Sequence, residues 1–142
     1  MVSIKLAQQL KEAGLVWQAT THDFFAIPER GMDDQIFVVT DVMAYLEMLK
    51  GWPVVTFHGT AEWALDYILT AEVIWIPTEA QIRGCLEEAL LGETELTLSL
   101  TLQHPDYVCQ IIYQGQPEQF RGKTASEAYG LALRHILHHH EP

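Results

Sequence analysis

Leu96, Leu98, Leu100 and Leu102 alternate without interruption with Thr97, Ser99, Thr101 and Gln103. A period of two is the signature of a strand with one buried face and one wet or half-wet face. His104-Pro105-Asp106 then turns the chain, and 107–113 returns as a partner strand. A tight turn is enough to join an antiparallel pair, whereas a parallel pair needs a long crossover. Gln114-Gly115-Gln116-Pro117 predicts a second turn, and a third strand near 118–121 completes a meander.

Helices flank this meander. Ile4, Ala7, Leu10 and Ala13 recur at helical spacing, with Leu6 widening the stripe, so 3–13 reads as a first helix. Ser3 suits its start, and Gly14 suits the left-handed position at its end. Thr78 with Gln81 has capping-box spacing ahead of a helix that Gly92 ends. Thr124-Ala125-Ser126-Glu127 repeats that spacing before a last helix. Its apolar side runs through Ala128, Tyr129, Ala132, Leu133, Ile136 and Leu137, and its last few residues are expected to fray.

The region between the first two helices mixes signals. Segments 22–28 and 35–40 read as strands joined by a polar turn, a hairpin. Segment 41–50 is ambiguous: Val42, Tyr45, Leu46 and Leu49 have helical spacing, ended by Gly51 and Pro53. Segment 54–58 reads as a short strand, 60–71 as a helix striped by Trp63, Ala64, Tyr67, Ile68 and Ala71, and 72–76 as a strand stopped by Pro77. No composition shift marks a domain boundary. The expected class is α+β, a single domain over 1–142 with a mainly antiparallel sheet and helices packed on one face.

Charge narrows the partners. Eight Lys and Arg stand against nineteen Asp and Glu, a net charge of −11. The basic residues are scattered, Arg121 and Lys123 being the only close pair. Nucleic-acid binding, which neutralises phosphates with Lys and Arg, is not expected, and neither is an anionic membrane surface. No apolar run approaches the length of a transmembrane helix, and Met1 leads into an amphipathic stretch without signal-peptide character. Cys85 and Cys109 lie far apart with no CxxC spacing, so the expectation is a cytoplasmic protein with reduced, mostly buried thiols.

Chemistry-bearing patterns are sparse. No GxSxG, GxxxxGK[ST] or GxGxxG occurs, so neither a nucleophile elbow nor a phosphate cradle is predicted, and no cofactor is expected. His58, Glu62 and Asp66 are spaced by fours and would share a helix face, as a metal triad can, if the helix began at His58. Gly59 and Thr60 read as the helix entry instead, which leaves Glu62 and Asp66 on a solvated face. His22-Asp23 matches a dipeptide of metal phosphohydrolases, but it precedes Phe24 and Phe25 on a predicted strand. Near the C-terminus, His135 with His138 or His139 falls at i, i+3 or i, i+4, spacing that holds Ni²⁺ or Zn²⁺ adventitiously. Trp52 sits in a predicted loop, where it either packs over the core edge or serves as an interaction residue.

The run from Gly51 to Thr60 (GWPVVTFHGT) followed by Glu62-Trp63-Ala64-Leu65-Asp66-Tyr67 resembles short uncharacterised bacterial proteins of the Chloroflexus type. His22-Asp23-Phe24-Phe25-Ala26-Ile27-Pro28 and Trp75-Ile76-Pro77-Thr78-Glu79 carry the resemblance further, over most of the chain. Some such proteins bear the label CpaE-like pilus assembly protein, which implies a P-loop-type ATPase. This sequence has no phosphate loop, so that activity is not carried over. From Trp75 onward the chain is similar to small phage and bacterial proteins of unknown function, and no catalytic residue transfers from either group.

The expected function is a non-enzymatic interaction module, a homo-oligomer or a binder of a protein partner, working through a sheet face, a sheet edge or loop aromatics. The alternative is a small metal-dependent hydrolase built on His58, Glu62, Asp66 or His22. A third reading is a toxin–antitoxin or phage-related partner whose acidic surface mimics an anionic ligand of a basic protein.

Overall fold

The computed structural model describes residues 1–29, 31, 35–40, 44–57 and 67–139. The class is α+β, and every described strand pairing is antiparallel. The chain divides into two compact units, Met1–Leu15 with Pro77–Pro142, and Val16–Ile76.

The first unit holds the three helices, α1 (Ile4–Glu12), α2 (Glu79–Ala89) and α3 (Ala125–His139). Each starts where the sequence predicts. The Ser3 hydroxyl accepts from the Leu6 amide at 3.1 Å. Thr78 and Gln81 form a full capping box, and the Thr124 hydroxyl accepts from the Glu127 amide at 3.1 Å. The Glu127 carboxylate does not complete a second box there. It accepts the Ser3 amide at 2.8 Å and so ties the start of α1 to the start of α3. Gly130 lets these two helices close, since a Cβ on it would lie 2.6 Å from Leu6 Cδ2.

Against α3 lies the predicted meander, β7 (Leu98–Gln103), β8 (Asp106–Tyr113) and β9 (Gln116–Gly122), in the order β7-β8-β9. Gln114 and Gly115, both at positive φ, form the two-residue turn between β8 and β9. Register places Leu100, Cys109 and Phe120 side by side on the helix face. The other face carries polar pairs around a buried Val108: Arg121 donates to Gln103 at 3.0 Å, and Gln119 donates to Gln110 at 3.3 Å. Helix α3 covers β8 and β9. At the uncovered edge, Leu98 and Leu100 are half-buried and Leu102 is 60% exposed, so the leucine stripe of β7 is buried less than its alternation predicts.

The second unit contains two further three-stranded sheets. One has the order β2-β1-β6, from β1 (Phe24–Ala26), β2 (Phe37–Val38) and β6 (Ile74–Ile76). The predicted hairpin is present, with Phe24 opposite Val38. The other has the order β3-β4-β5, from β3 (Ala44–Leu49), β4 (Trp52–Phe57) and β5 (Tyr67–Leu69). Phe25, Ile27, Val39, Val55, Ile68 and Val73 are the heart of the core here, with Trp17, Phe37 and Phe57 packed against them.

Two readings of this unit change. Segment 41–50, ambiguous in sequence, contributes strand β3. Lys50 and Gly51 both take positive φ (50° and 86°), the two-residue hairpin turn whose twist matches its strands. The helix expected over 60–71 is not formed at its described end: Tyr67–Leu69 is strand β5, followed by a single 3₁₀ turn, Thr70–Glu72. Pairing places Ile68 opposite Val55, and burial in a sheet core overrides the helical spacing of its neighbours.

Candidate functional site

The described part of the second unit carries a groove of about 510 Å³ at the hairpin end of β3 and β4. Met48 with Pro53, and Glu47 with Val54, are the register pairs that line it. Leu46, Thr70 and the segment Trp17-Gln18-Ala19 complete the lining. The lining is mostly apolar, and Glu47 is its one charged residue. Its carboxylate accepts from the Thr56 hydroxyl at 2.8 Å, a cross-strand bond that fixes its place on the sheet.

Trp17 is held from behind. Its indole N–H donates to Asp23 Oδ2 at 2.9 Å, and the Thr20 amide donates to the same oxygen at 3.0 Å. Asp23 is buried, and burial of a carboxylate requires such donors. The Trp17 ring stacks on Phe25 at 5.7 Å. One wall of the groove is therefore a preset aromatic surface, which lowers the ordering cost of binding.

Met48 of the lining and Trp52 beside it are each 65% exposed. Trp52 does not lie in a loop: it opens β4, paired with Leu49 across the Lys50-Gly51 turn. An exposed tryptophan and methionine flanking one tight turn are unusual on a soluble surface and typical of contact sites.

The residues singled out in the sequence fall in different places. His58, Glu62 and Asp66 lie outside the described residues, and so does His140. His22 stands exposed at a positive φ of 75° while its neighbour Asp23 is committed to the Trp17 loop. His135 and His139 do come together, ring centroids 4.2 Å apart, and His139 Nδ1 lies 2.7 Å from the His135 carbonyl. His135 Nε2 is 4.0 Å from Glu118 on β9, and Phe120 and Tyr113 flank the ring. Burial, then the neighbouring His139, holds His135 below the usual histidine range, against the pull of Glu118. His138 is exposed on the same helix. Among the described residues, no group of three or more His, Cys, Asp or Glu is arranged to hold a metal ion.

Both cysteines are free thiols. Burial pushes Cys109 up to about 11 and raises Cys85, where Glu88 adds to the effect. Neither has the depressed value of a reactive thiolate.

Sequence reasoning found Trp52 but missed the groove beside it. The signal that was present is Lys50-Gly51, an X-Gly pair between two apolar runs, which pairs Met48 and Leu49 with Pro53 and Trp52 once it is read as a hairpin. Among the described residues, no helix is long and apolar enough to cross a membrane. Comparisons with family models, curated proteins and solved structures give no match to this chain.

Proposed function

We propose that the protein is a non-enzymatic interaction module that self-associates and captures a short segment of a protein partner in the groove beside the β3–β4 hairpin. The observation that carries the capture is the groove itself, apolar, walled by an indole that Asp23 fixes, lined by exposed Met48 and flanked by exposed Trp52. A segment that fits presents apolar side chains to Met48, Pro53 and Trp17. It also carries a Lys or Arg toward Glu47, the charged residue of the lining. A chain of net charge −11 steers such a basic segment toward itself and repels acidic ones.

The test is selection of random peptides on the immobilised full chain, followed by binding of the selected peptides to variants. The expected consensus is an apolar core with a flanking Lys or Arg. Met48→Glu is expected to abolish binding, Glu47→Gln to reduce it, and added salt to weaken it. Peptides without that consensus, or binding indifferent to both substitutions, would overturn the capture reading.

A further inference from the structure

We infer that the open edge of β7 pairs with the same edge of a second copy of this chain, joining two three-stranded sheets into one of six strands. The inference rests on the self-association in the proposed function and names the surface that performs it.

The two edges of the β7-β8-β9 sheet are treated differently. Edge strand β9 carries Pro117, Glu118 and Arg121. Proline and charge are the means by which sheets protect an edge against pairing. Edge strand β7 has neither: Leu98-Ser99-Leu100-Thr101-Leu102-Gln103 contains no proline and no charged side chain, and Leu96 and Thr97 extend the neutral run. Among the described residues, β8 is the only strand that pairs with it. The other described edges are short or charged: β2 has two residues, β5 and β6 have three each, and β3 carries Glu47.

Composition makes this edge fit a copy of itself. An antiparallel pair across a two-fold axis at Leu100 sets Leu98 opposite Leu102 of the second copy, and Ser99 opposite its Thr101. Within β7 every leucine then meets a leucine on one face, and Ser99 and Thr101 meet hydroxyls on the other, the self-complementarity that a two-fold interface requires. The exposed Leu102 gains Leu98 of the second copy as a cross-strand neighbour by this pairing. Charge points the same way. Two copies at −11 repel over most of their surfaces, and a strip of eight uncharged residues, Leu96–Gln103, is where they approach at least cost.

The experiment is sedimentation equilibrium of the full chain over a dilution series, with charge placed on the strip. Ser99 and Thr101 are both exposed, so Ser99→Lys with Thr101→Lys leaves the core intact while setting two like-charged pairs across the axis. The unaltered chain is expected to be a dimer, and the lysine pair to raise its dissociation constant by about tenfold or more. Ser99→Glu with Thr101→Glu is expected to do the same alone. An equimolar mixture of the lysine and glutamate variants is expected to recover the dimer, because the register sets Lys opposite Glu. Gln119→Lys on the guarded edge and Trp52→Ala in the other unit are expected to leave the dissociation constant unchanged. Helical circular dichroism checks that each variant is folded. A chain monomeric throughout the series would overturn both this inference and the self-association it rests on. A dimer indifferent to charge at 99 and 101, or one weakened by Trp52→Ala instead, would overturn the β7 assignment and leave self-association standing.

Discussion

In Met1–Leu15 with Pro77–Pro142, most buried residues are aliphatic and often small, with Tyr113 and Tyr129 among them, and long elements carry them. Leu6, Leu10, Leu86, Ile111, Ala128, Ala132 and Ile136 are nearly inaccessible, and Gly130 lets α1 close on α3. In Val16–Ile76 four of the six described strands have three residues or fewer, and the weight falls on aromatic rings. Phe25 stacks with Trp17 at 5.7 Å and with Phe37 at 5.5 Å, and meets Phe57 at 6.3 Å. The first arrangement spreads stability over many caps and helix–sheet contacts. The second rests on a ring cluster, with polar braces such as Asp23 under Trp17 and Glu47 on Thr56. The proposed contact surface sits on the second kind of architecture.

The strongest test of that contrast is Phe25→Ala. Removing a fully buried phenylalanine costs about 3–5 kcal/mol. Two probes separate the units without any labelling. All the described α-helices belong to the first unit, so the helical dichroism signal reports on it. Trp17, Trp52, Trp63 and Trp75 all belong to the second, so tryptophan fluorescence reports on that one. Phe25→Ala is expected to bring the fluorescence transition to lower denaturant while the helical transition stays near its original midpoint. Coincident loss of both signals would show that the two units unfold as one and would break the comparison.

The mirror experiment is Gly130→Val. The added Cβ lies 2.6 Å from Leu6 Cδ2, so α1 and α3 must part or Leu6 must leave its place. Overpacking of this kind costs about 1–3 kcal/mol. Here the helical signal is expected to weaken first and the fluorescence to hold. Asp23→Ala returns to the second unit at similar size. It strips acceptors from the Trp17 indole and the Thr20 amide, at about 1–3 kcal/mol for donors left unsatisfied. It is also expected to weaken binding of the selected peptides, since the indole wall loses its anchor. Unchanged peptide affinity in a folded Asp23→Ala chain would remove preorganisation of Trp17 from the account of the site.

The same contrast explains what the sequence reveals. The first unit is legible because its signals are local: Thr78 with Gln81 names a helix start from four residues, and Leu96 to Gln103 names a strand from eight. The second unit is governed by pairing at a distance. Tyr67 and Ile68 have helical spacing with their neighbours, yet Ile68 is fixed by Val55, thirteen positions earlier, and nothing near it in sequence announces this. The groove is hidden for the same reason. Trp17 and Met48 are thirty-one positions apart, and only the fold brings them to one surface. Trp52 stands out because an exposed-type position holding a large ring is a local anomaly. The helix-terminal histidines stand out by spacing, but spacing does not reveal that β9 brings Glu118 to 4.0 Å from His135, nor that no metal-holding group results among the described residues.

The smallest expected effect belongs to His135 and sharpens the comparison from the side of the first unit. Its ring is held below the usual value of 6.5, mainly by burial and then by His139, with Glu118 opposing and His138 adding slightly. The unfolded chain therefore takes up a proton at a pH where the folded chain still resists it. Stability is intact above about pH 6.5 and is lost as the pH falls through the folded value, because protons then favour the unfolded state. In denaturant titrations on either side of that value, the helical midpoint is expected to fall on acidification, and His135→Phe to flatten the dependence while keeping the contacts with Tyr113 and Phe120. The fluorescence midpoint of the second unit is the internal control. If its pH dependence flattens equally in His135→Phe, the proton acts through both units together, and the separation drawn from Phe25→Ala and Gly130→Val does not hold.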